Sequence, residues 1–231
     1  MEKERAAQEM PSSARRVMYA LMRWKAVFFR WRMSRRKVGK EPVTVGFIVQ
    51  MPEVWDKEAP VFETMVADER FDPRLIVVPS YDFASSRIGE YGEELDYYIS
   101  RYGESRIICA RREESWLDLK SLGLDYVFFQ RCWEQYLPRE YRASHVIRYA
   151  KTCYIPYCFH CLVDPKEYYA SSFFMNLYLF FCCSQQQLSL QRVEPYKTCV
   201  FAGYPVLDKP ASPIGDAGIG TVLWTPRWTD D

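Results

Sequence analysis

The sequence predicts an α/β fold: a Rossmann-like parallel sheet with helices on both faces, preceded by a basic helix. From residue 41 onward, short apolar runs alternate with segments of helical spacing, as in parallel sheets that are covered on both sides. The 231 residues are 48% apolar with only 10 Gly, a composition typical of folded proteins. Residues 1–40 carry 12 Lys and Arg against 3 Asp and Glu, whereas residues 41–231 carry 19 against 27. A basic arm therefore precedes an acidic body.

Residues 14–38 of the basic arm contain neither Pro nor Gly and predict one amphipathic helix. Spacings of four and three define an apolar stripe made of Val17, Leu21, Trp24, Phe28 and Trp31. A cationic stripe recurs every seven residues beside it, at Arg16, Arg23, Arg30 and Lys37. The cationic stripe, Trp24 and Trp31 suit contact with an anionic membrane surface. The alternative is a helix packed on the body or on a partner, and the acidic body argues against nucleic acid.

The start of the chain is charged where a signal peptide would be apolar. The aromatic run over residues 173–183 is too short to span a bilayer and predicts a buried helix and strand. Eight Cys without an export signal predict reduced thiols. We therefore expect a cytoplasmic protein that is peripheral at the inner face of the plasma membrane.

The body predicts seven strands in turn, each a short apolar run, over residues 43–50, 75–79, 107–110, 126–130, 152–155, 179–183 and 198–202. Met51 and Pro52 end the first of these. Helices or helical turns are expected between the strands, over residues 57–68, 92–102, 117–122, 138–143, 167–178 and 185–192. Gly123 follows the third helical segment and suits a helix C-cap.

Ligands of parallel sheets bind beyond the carboxyl ends of the strands. Polar and aromatic residues that follow the predicted strands are therefore the candidate substrate-binding residues: Gln50, Glu53, Gln130, Arg131, Tyr157, Gly203 and Pro205. Ordinary polar loops are the alternative. The sequence has no Gly-x-Gly-x-x-Gly after the first strand, no P-loop and no Gly-x-Ser-x-Gly, which argues against dinucleotide binding and serine hydrolysis. No cofactor is expected.

Cys153, Cys158 and Cys161 have a spacing that occurs in iron–sulfur proteins, and with His160 they could form a zinc site. Bulky residues and no Gly lie between them, and Cys153 falls in a predicted buried strand, so we expect no metal. His160 follows the fifth strand and is the candidate catalytic base, with a hydrogen-bonded loop histidine as the alternative. His145 lies beside apolar residues, which predicts a structural role.

Two segments near the end of the sequence carry a family resemblance. Residues 203–208 form a Gly-x-Pro-x-x-Asp sequence after a strand, and residues 221–231 begin a new strand that reads Val-Leu-Trp-Thr-Pro-Arg-Trp. The strand at residues 181–184 and the Gln-rich helix after it fit the same pattern. This order resembles the CDP-glycerol glycerophosphotransferase family, the teichoic acid polymerases and their relatives, over residues 43–231.

The resemblance implies the N-terminal half of a GT-B fold. Residues 1–40 are then the helical arm, 41–208 the acceptor-side domain, 209–220 a linker, and 221–231 the first strand of a truncated nucleotide-binding domain. Family members transfer glycerol phosphate from CDP-glycerol to a polymer or lipid-linked acceptor at the inner membrane face, in cell-envelope synthesis.

The CDP-activated donor is bound mostly by the second half of the family's fold, so the resemblance implies that this chain alone is inactive. Many members carry a Trp-His-Gly motif whose His is the base. The matching region, residues 152–160, lacks the motif, and His160 is its nearest substitute. The alternative function is a non-catalytic membrane-surface binding module. A redox protein that uses the Cys residues is a third possibility.

Overall fold

The structure, a computed structural model, describes residues 12–38, 41–113, 115–156, 169–191 and 194–208. Seven strands build its main sheet: β1 (Val43–Val49), β2 (Phe71–Val77), β3 (Ile107–Cys109), β4 (Tyr126–Phe129), β5 (Lys151–Tyr154), β6 (Leu179–Cys182) and β7 (Thr198–Phe201). They lie in the order β7-β6-β5-β4-β1-β2-β3, and every neighbouring pair is parallel. The predicted Rossmann-like α/β fold is confirmed.

Helices connect or precede these strands: α1 (Ser12–Arg35), α2 (Ala59–Val66), α3 (Glu93–Tyr102), α4 (Ala143–Val146), α5 (Ser172–Met175) and α6 (Gln185–Leu190). Short 3-10 turns complete the connections, among them Pro52–Lys57, Leu119–Leu122, Glu134–Tyr136 and Pro205–Asp208. As predicted, Gly123 ends the Leu119–Leu122 turn, in a left-handed conformation with φ of 65°. Among the described helices, none has both the length and the apolar character that crossing a bilayer requires.

An apolar layer covers each face of the sheet, because side chains alternate along the strands. On one face, the Phe47 ring of β1 makes edge contacts with Trp55 and Phe62, at 6.0 and 5.4 Å between ring centroids. On the other face, Ile48 joins a cluster that contains Phe129. This double cover is what a parallel sheet needs to exclude water from its strands.

The helix expected over residues 167–178 is much shorter in the structure, although residues 157–168 lie outside the described part. The described helix α5 ends before Asn176, whose backbone is no longer helical. Thr152 of β5 explains the ending: its hydroxyl donates to the Asn176 carbonyl at 2.6 Å and accepts from the Tyr178 amide at 3.0 Å. These bonds direct the chain into β6. The expected linker and final strand, residues 209–231, also lie outside the described residues.

Helix α1 packs on the body through the face that carries Ala26, Arg30 and Met33. The Arg30 guanidinium is fully buried, donates to the Met175 carbonyl at 2.5 Å and lies 3.2 Å from the Glu194 carboxylate. Arg30 therefore cannot contact a membrane surface, which corrects its place in the predicted cationic stripe. The predicted apolar stripe faces outward instead, with side chains 38% to 66% exposed: Val17, Leu21, Trp24, Phe28 and Trp31.

Replacing Arg30 with Met should destabilise the protein by about 3–5 kcal/mol, because the buried Glu194 carboxylate loses its buried partner. Arg23 lies 3.3 Å from the same carboxylate but is partly exposed, so Arg23→Met should cost only about 0–1 kcal/mol. Urea unfolding followed by circular dichroism measures both values. Equal losses in the two variants would contradict the role of burial.

Candidate functional site

The strand order of the sheet reverses between the neighbouring strands β1 and β4. From β1 it builds β2 and β3 on one side, and from β4 it builds β5, β6 and β7 on the other. The loops after β1 and β4 therefore leave in opposite directions and open a crevice at the carboxyl edge of the sheet. In open α/β sheets, such switch points are where ligands bind.

Gln130, which follows β4, connects the loop after β4 to the loop after β1 through hydrogen bonds of its side-chain amide. Its Oε1 accepts from the backbone amides of Gln50 and Met51 at 2.8 and 2.9 Å. Its Nε2 donates to the Met51 carbonyl at 2.7 Å and to the Tyr98 hydroxyl at 3.1 Å. All four bonds are nearly shielded from water, since Gln130 and Gln50 are each 3% exposed. One side chain thus sets the spacing of the loops after β1 and β4.

A cleft of about 750 Å³ opens above the loops that follow β1 and β2. Among the described residues, its charged wall consists of three exposed carboxylates, the buried Glu94 and one cation, Arg131; the exposed carboxylates are Glu53, Glu93 and Asp96. Glu94 has a structural role, because its Oε1 accepts from the amides of Ser80 and Gly92 at 3.3 and 3.2 Å. The cleft therefore presents many hydrogen-bond acceptors around one positive charge.

Arg131 is held in position at this cleft by two contacts. One guanidinium nitrogen donates to Gln50 Oε1 at 2.8 Å, and the guanidinium carbon lies 5.4 Å from the centre of the Tyr136 ring. Tyr136 in turn contacts Tyr81 and Phe83, at 4.8 and 5.3 Å between centroids. The arginine is thus fixed to the switch point by Gln50 and to the cleft wall by an aromatic cluster.

A second, smaller cavity of about 390 Å³ lies beside the loop after β4 and is lined by Glu134. The Glu134 carboxylate accepts a hydrogen bond from the backbone amide of Ala143, at the start of α4. Burial raises the pKa of Glu134 to about 7, against the opposing effects of this bond and of Arg142. A carboxyl group with a pKa near neutrality can accept or release a proton at physiological pH.

Lys57 and Glu58 form a fully buried pair close to the end of β5, with Nζ 3.4 Å from Oε1. Lys57 also donates to the Ile155 carbonyl and lies 4.7 Å from the centre of the Tyr154 ring. In the part of the chain that the structure describes, neither Glu58 carboxylate oxygen has a hydrogen-bond partner. Burial lowers the pKa of Lys57 and raises that of Glu58, so burial favours the neutral form of each group.

The structure brings together four of the predicted substrate-binding residues. Glu53 and Arg131 line the cleft, whereas Gln50 and Gln130 are buried behind it, where Gln50 accepts from Arg131 and Gln130 accepts from the Gln50 amide. Gly203, with φ of 76°, and Pro205 belong to a turn after β7 that lies beside Pro52–Lys57, outside the lining of the cleft. Tyr157 and the candidate base His160 lie outside the described residues.

Sequence reasoning missed the contribution of α3 to the cleft and the buried carboxylates Glu58 and Glu134. The acidic first turn of α3 was a signal, but such residues also stabilise helix N-termini without any ligand. Glu134 carried no signal, since only tertiary packing buries it. His145 is half-buried, and burial together with Arg148 and Arg139 lowers its pKa.

The cysteines that the structure describes do not form a ligand cluster. Cys153 is fully buried within β5, and burial raises the pKa of its thiol, which favours the protonated form. Cys158 and Cys161 lie outside the described residues. Within the described ranges, no group of three or more His, Cys, Asp or Glu residues could hold a metal ion.

The fold and the cleft define a class: a Rossmann-like α/β domain with a candidate binding cleft at the carboxyl edge of its sheet, beside the topological switch point. Comparisons of the chain with protein-family models, with curated proteins and with solved structures gave no match.

Replacing Gln130 with Leu should destabilise the protein by about 2–4 kcal/mol, because the buried amides of Gln50 and Met51 lose their acceptor. The same change at the exposed Gln186 of α6 should stay within about 0.5 kcal/mol. Urea unfolding of both variants makes the comparison. A loss at Gln130 no larger than that at Gln186 would show that the crevice is held by other contacts.

Glu134 should make the protein less stable as the pH rises. Its pKa lies above the unfolded value, so its contribution is fully present below pH 4.5 and is lost as the pH rises through about 7. Relative to Glu134→Gln, the wild-type protein should lose up to about 3 kcal/mol over that window. Urea unfolding across the pH range measures this. Gln135→Ala is the control and should keep the wild-type profile, while an unchanged profile in Glu134→Gln would contradict the prediction.

Proposed function

We propose that the chain is the acceptor-side domain of a GT-B transferase. It serves the transfer of glycerol phosphate, or a related group, from a CDP-linked donor to a cell-envelope polymer acceptor. The observation that carries this proposal is the cleft beside the switch point, where the predicted residues Glu53 and Arg131 face a common space. Support for the family also comes from the Gly-x-Pro-x-x-Asp sequence at residues 203–208.

The charges of the cleft favour an acceptor over a nucleotide donor. A pyrophosphate would meet the carboxylates of Glu53, Glu93 and Asp96, and repulsion would weaken its binding. Hydroxyl groups, in contrast, donate hydrogen bonds to carboxylates. A glycerol phosphate chain end offers such hydroxyls together with a phosphate, which matches several acceptors around one cation.

Arg131 is the proposed phosphate contact. A guanidinium binds phosphate in bidentate geometry, provided that its plane is held in place. Gln50 and the Tyr136 ring hold the plane here, so little conformational entropy remains to be lost on binding. His160 stays the proposed base that would activate the attacking hydroxyl, with Tyr157 as a further acceptor contact.

Replacing Arg131 with Gln should weaken the binding of glycerol phosphate oligomers about ten- to hundredfold, since a charged hydrogen bond contributes about 1.5–3 kcal/mol. Isothermal titration calorimetry in the absence of lipid measures the affinity. Arg112 lies in a two-stranded hairpin of Arg111–Arg112 and Ser115–Trp116, where it is exposed and outside the lining of the cleft. Arg112→Gln removes the same charge as Arg131→Gln and should bind like the wild-type protein. Wild-type affinity in Arg131→Gln would contradict the proposed contact.

A non-catalytic membrane-surface module is the second candidate, and the outward stripe of α1 favours it. A helix with exposed Trp and Phe beside Arg and Lys suits the boundary between lipid headgroups and acyl chains. The two candidates differ at the cleft. Saturable oligomer binding without lipid supports the transferase domain, whereas vesicle binding with no oligomer binding favours the module.

A further inference from the structure

A cavity of about 780 Å³ lies between α1 and the body, and we call it the α1 cavity. Phe29 and Met33 contribute its helical wall. Leu119, from the turn before β4, and Tyr149, before β5, contribute the body side. These elements lie at the amino ends of the strands, so the α1 cavity is on the opposite edge of the sheet from the switch-point cleft.

The lining of the α1 cavity is strongly basic. Of the residues that the structure describes, five cations face it, against the two carboxylates of Asp118 and Glu140; the cations are Arg32, Arg35, Arg36, Lys120 and Arg148. Asp118 caps the following turn by accepting from the Lys120 amide at 3.0 Å, and neither carboxylate forms an ion pair in the described part of the chain. An excess of positive charge therefore surrounds an open space.

Two of the five cations have no partner of their own. Within the described ranges, the head groups of Arg32 and Lys120 make neither a hydrogen bond nor an ion pair, and both side chains are exposed. Arg36, in contrast, donates to the Tyr149 carbonyl and pairs with Asp125 at 3.4 Å. Arg148 donates to the Ser144 carbonyl at 3.3 Å. The cavity is therefore lined both by cations that other protein groups hold in place and by cations whose head groups have no partner among the described residues.

The outward stripe of α1 runs directly past this cavity. Arg35 follows Trp31 by four residues, continues the stripe and lies 5.6 Å from the Trp31 ring, while it also lines the cavity. Arg32 follows Phe28 by four residues, which places it one turn along the same side of the helix. An apolar stripe for acyl chains and a basic cavity for an anion are therefore adjacent on one helix.

We propose that the α1 cavity binds the phosphate headgroup of an anionic membrane phospholipid while the stripe of α1 enters the interface beside it. The headgroup phosphate contacts Arg32 and Lys120, and Arg35 bridges the cavity and the lipid surface. The proposal rests on the membrane contact of α1 and is independent of the transferase assignment. Under this proposal, the protein binds the anionic membrane through one defined headgroup site, rather than only through general attraction between the basic arm and the lipid surface.

Co-sedimentation of the full chain with phosphatidylcholine vesicles, with and without phosphatidylglycerol, tests the proposal. The variant Arg32→Gln/Lys120→Gln should lose roughly ten- to thirtyfold in affinity for the phosphatidylglycerol vesicles. The control Lys25→Gln/Arg112→Gln removes one exposed cation of α1 and one of the body, neither of which lines the cavity or belongs to the cationic stripe, and should lose less than about fivefold. Circular dichroism checks that both variants keep the fold.

Equal losses in the two double variants would overturn the headgroup site, because diffuse attraction counts charges wherever they lie. A site for a soluble anion would bind inorganic phosphate without vesicles and leave the vesicle binding of Arg32→Gln/Lys120→Gln equal to that of the control variant, and this result would also overturn the proposal. Replacing Trp24 and Phe28 with Ser should abolish vesicle binding of both compositions. If this variant binds vesicles like the wild-type protein, the membrane contact of α1 fails, and oligomer binding at Arg131 still decides the transferase assignment.

Discussion

A parallel sheet that is buried on both faces leaves polar backbone groups where its strands end, and these groups need partners. At the centre of this sheet, the side chain of Gln130 provides them, through its bonds to the chain at Gln50 and Met51. Gln50 in turn positions Arg131, because its side-chain oxygen accepts a hydrogen bond from the Arg131 guanidinium. The shape of the cleft and the position of Arg131 both depend on the side-chain amides of Gln130 and Gln50.

The molecule separates its charges between the two edges of its sheet. Carboxylates surround the cleft beyond the carboxyl ends of β1 and β2, while arginines surround the α1 cavity at the amino ends of β4 and β5. Ligands of opposite chemistry, a hydroxyl-rich chain end and an anionic headgroup, suit the two edges.

The local sequence pattern predicted the positions of the strands, but it predicted few of the charged side chains that the fold buries. Apolar runs located all seven strands, and Gly123 marked the end of its turn. The burial of Arg30 was not predictable, because its partner Glu194 lies 164 residues away in the sequence. The same holds for Glu134, whose burial depends on packing against a later helix. Gln50, Glu53, Gln130 and Arg131 were found because strand ends converge in any parallel sheet.

The buried pair Lys57 and Glu58 restricts how this chain can evolve. Changing either residue alone leaves the other as an uncompensated group in a dry interior, at a cost of about 3–5 kcal/mol. Replacing both with apolar residues of similar volume removes both buried ionisable groups at once and is often neutral in its effect on stability. A matched replacement of both residues is therefore the change that the interior tolerates best at these positions.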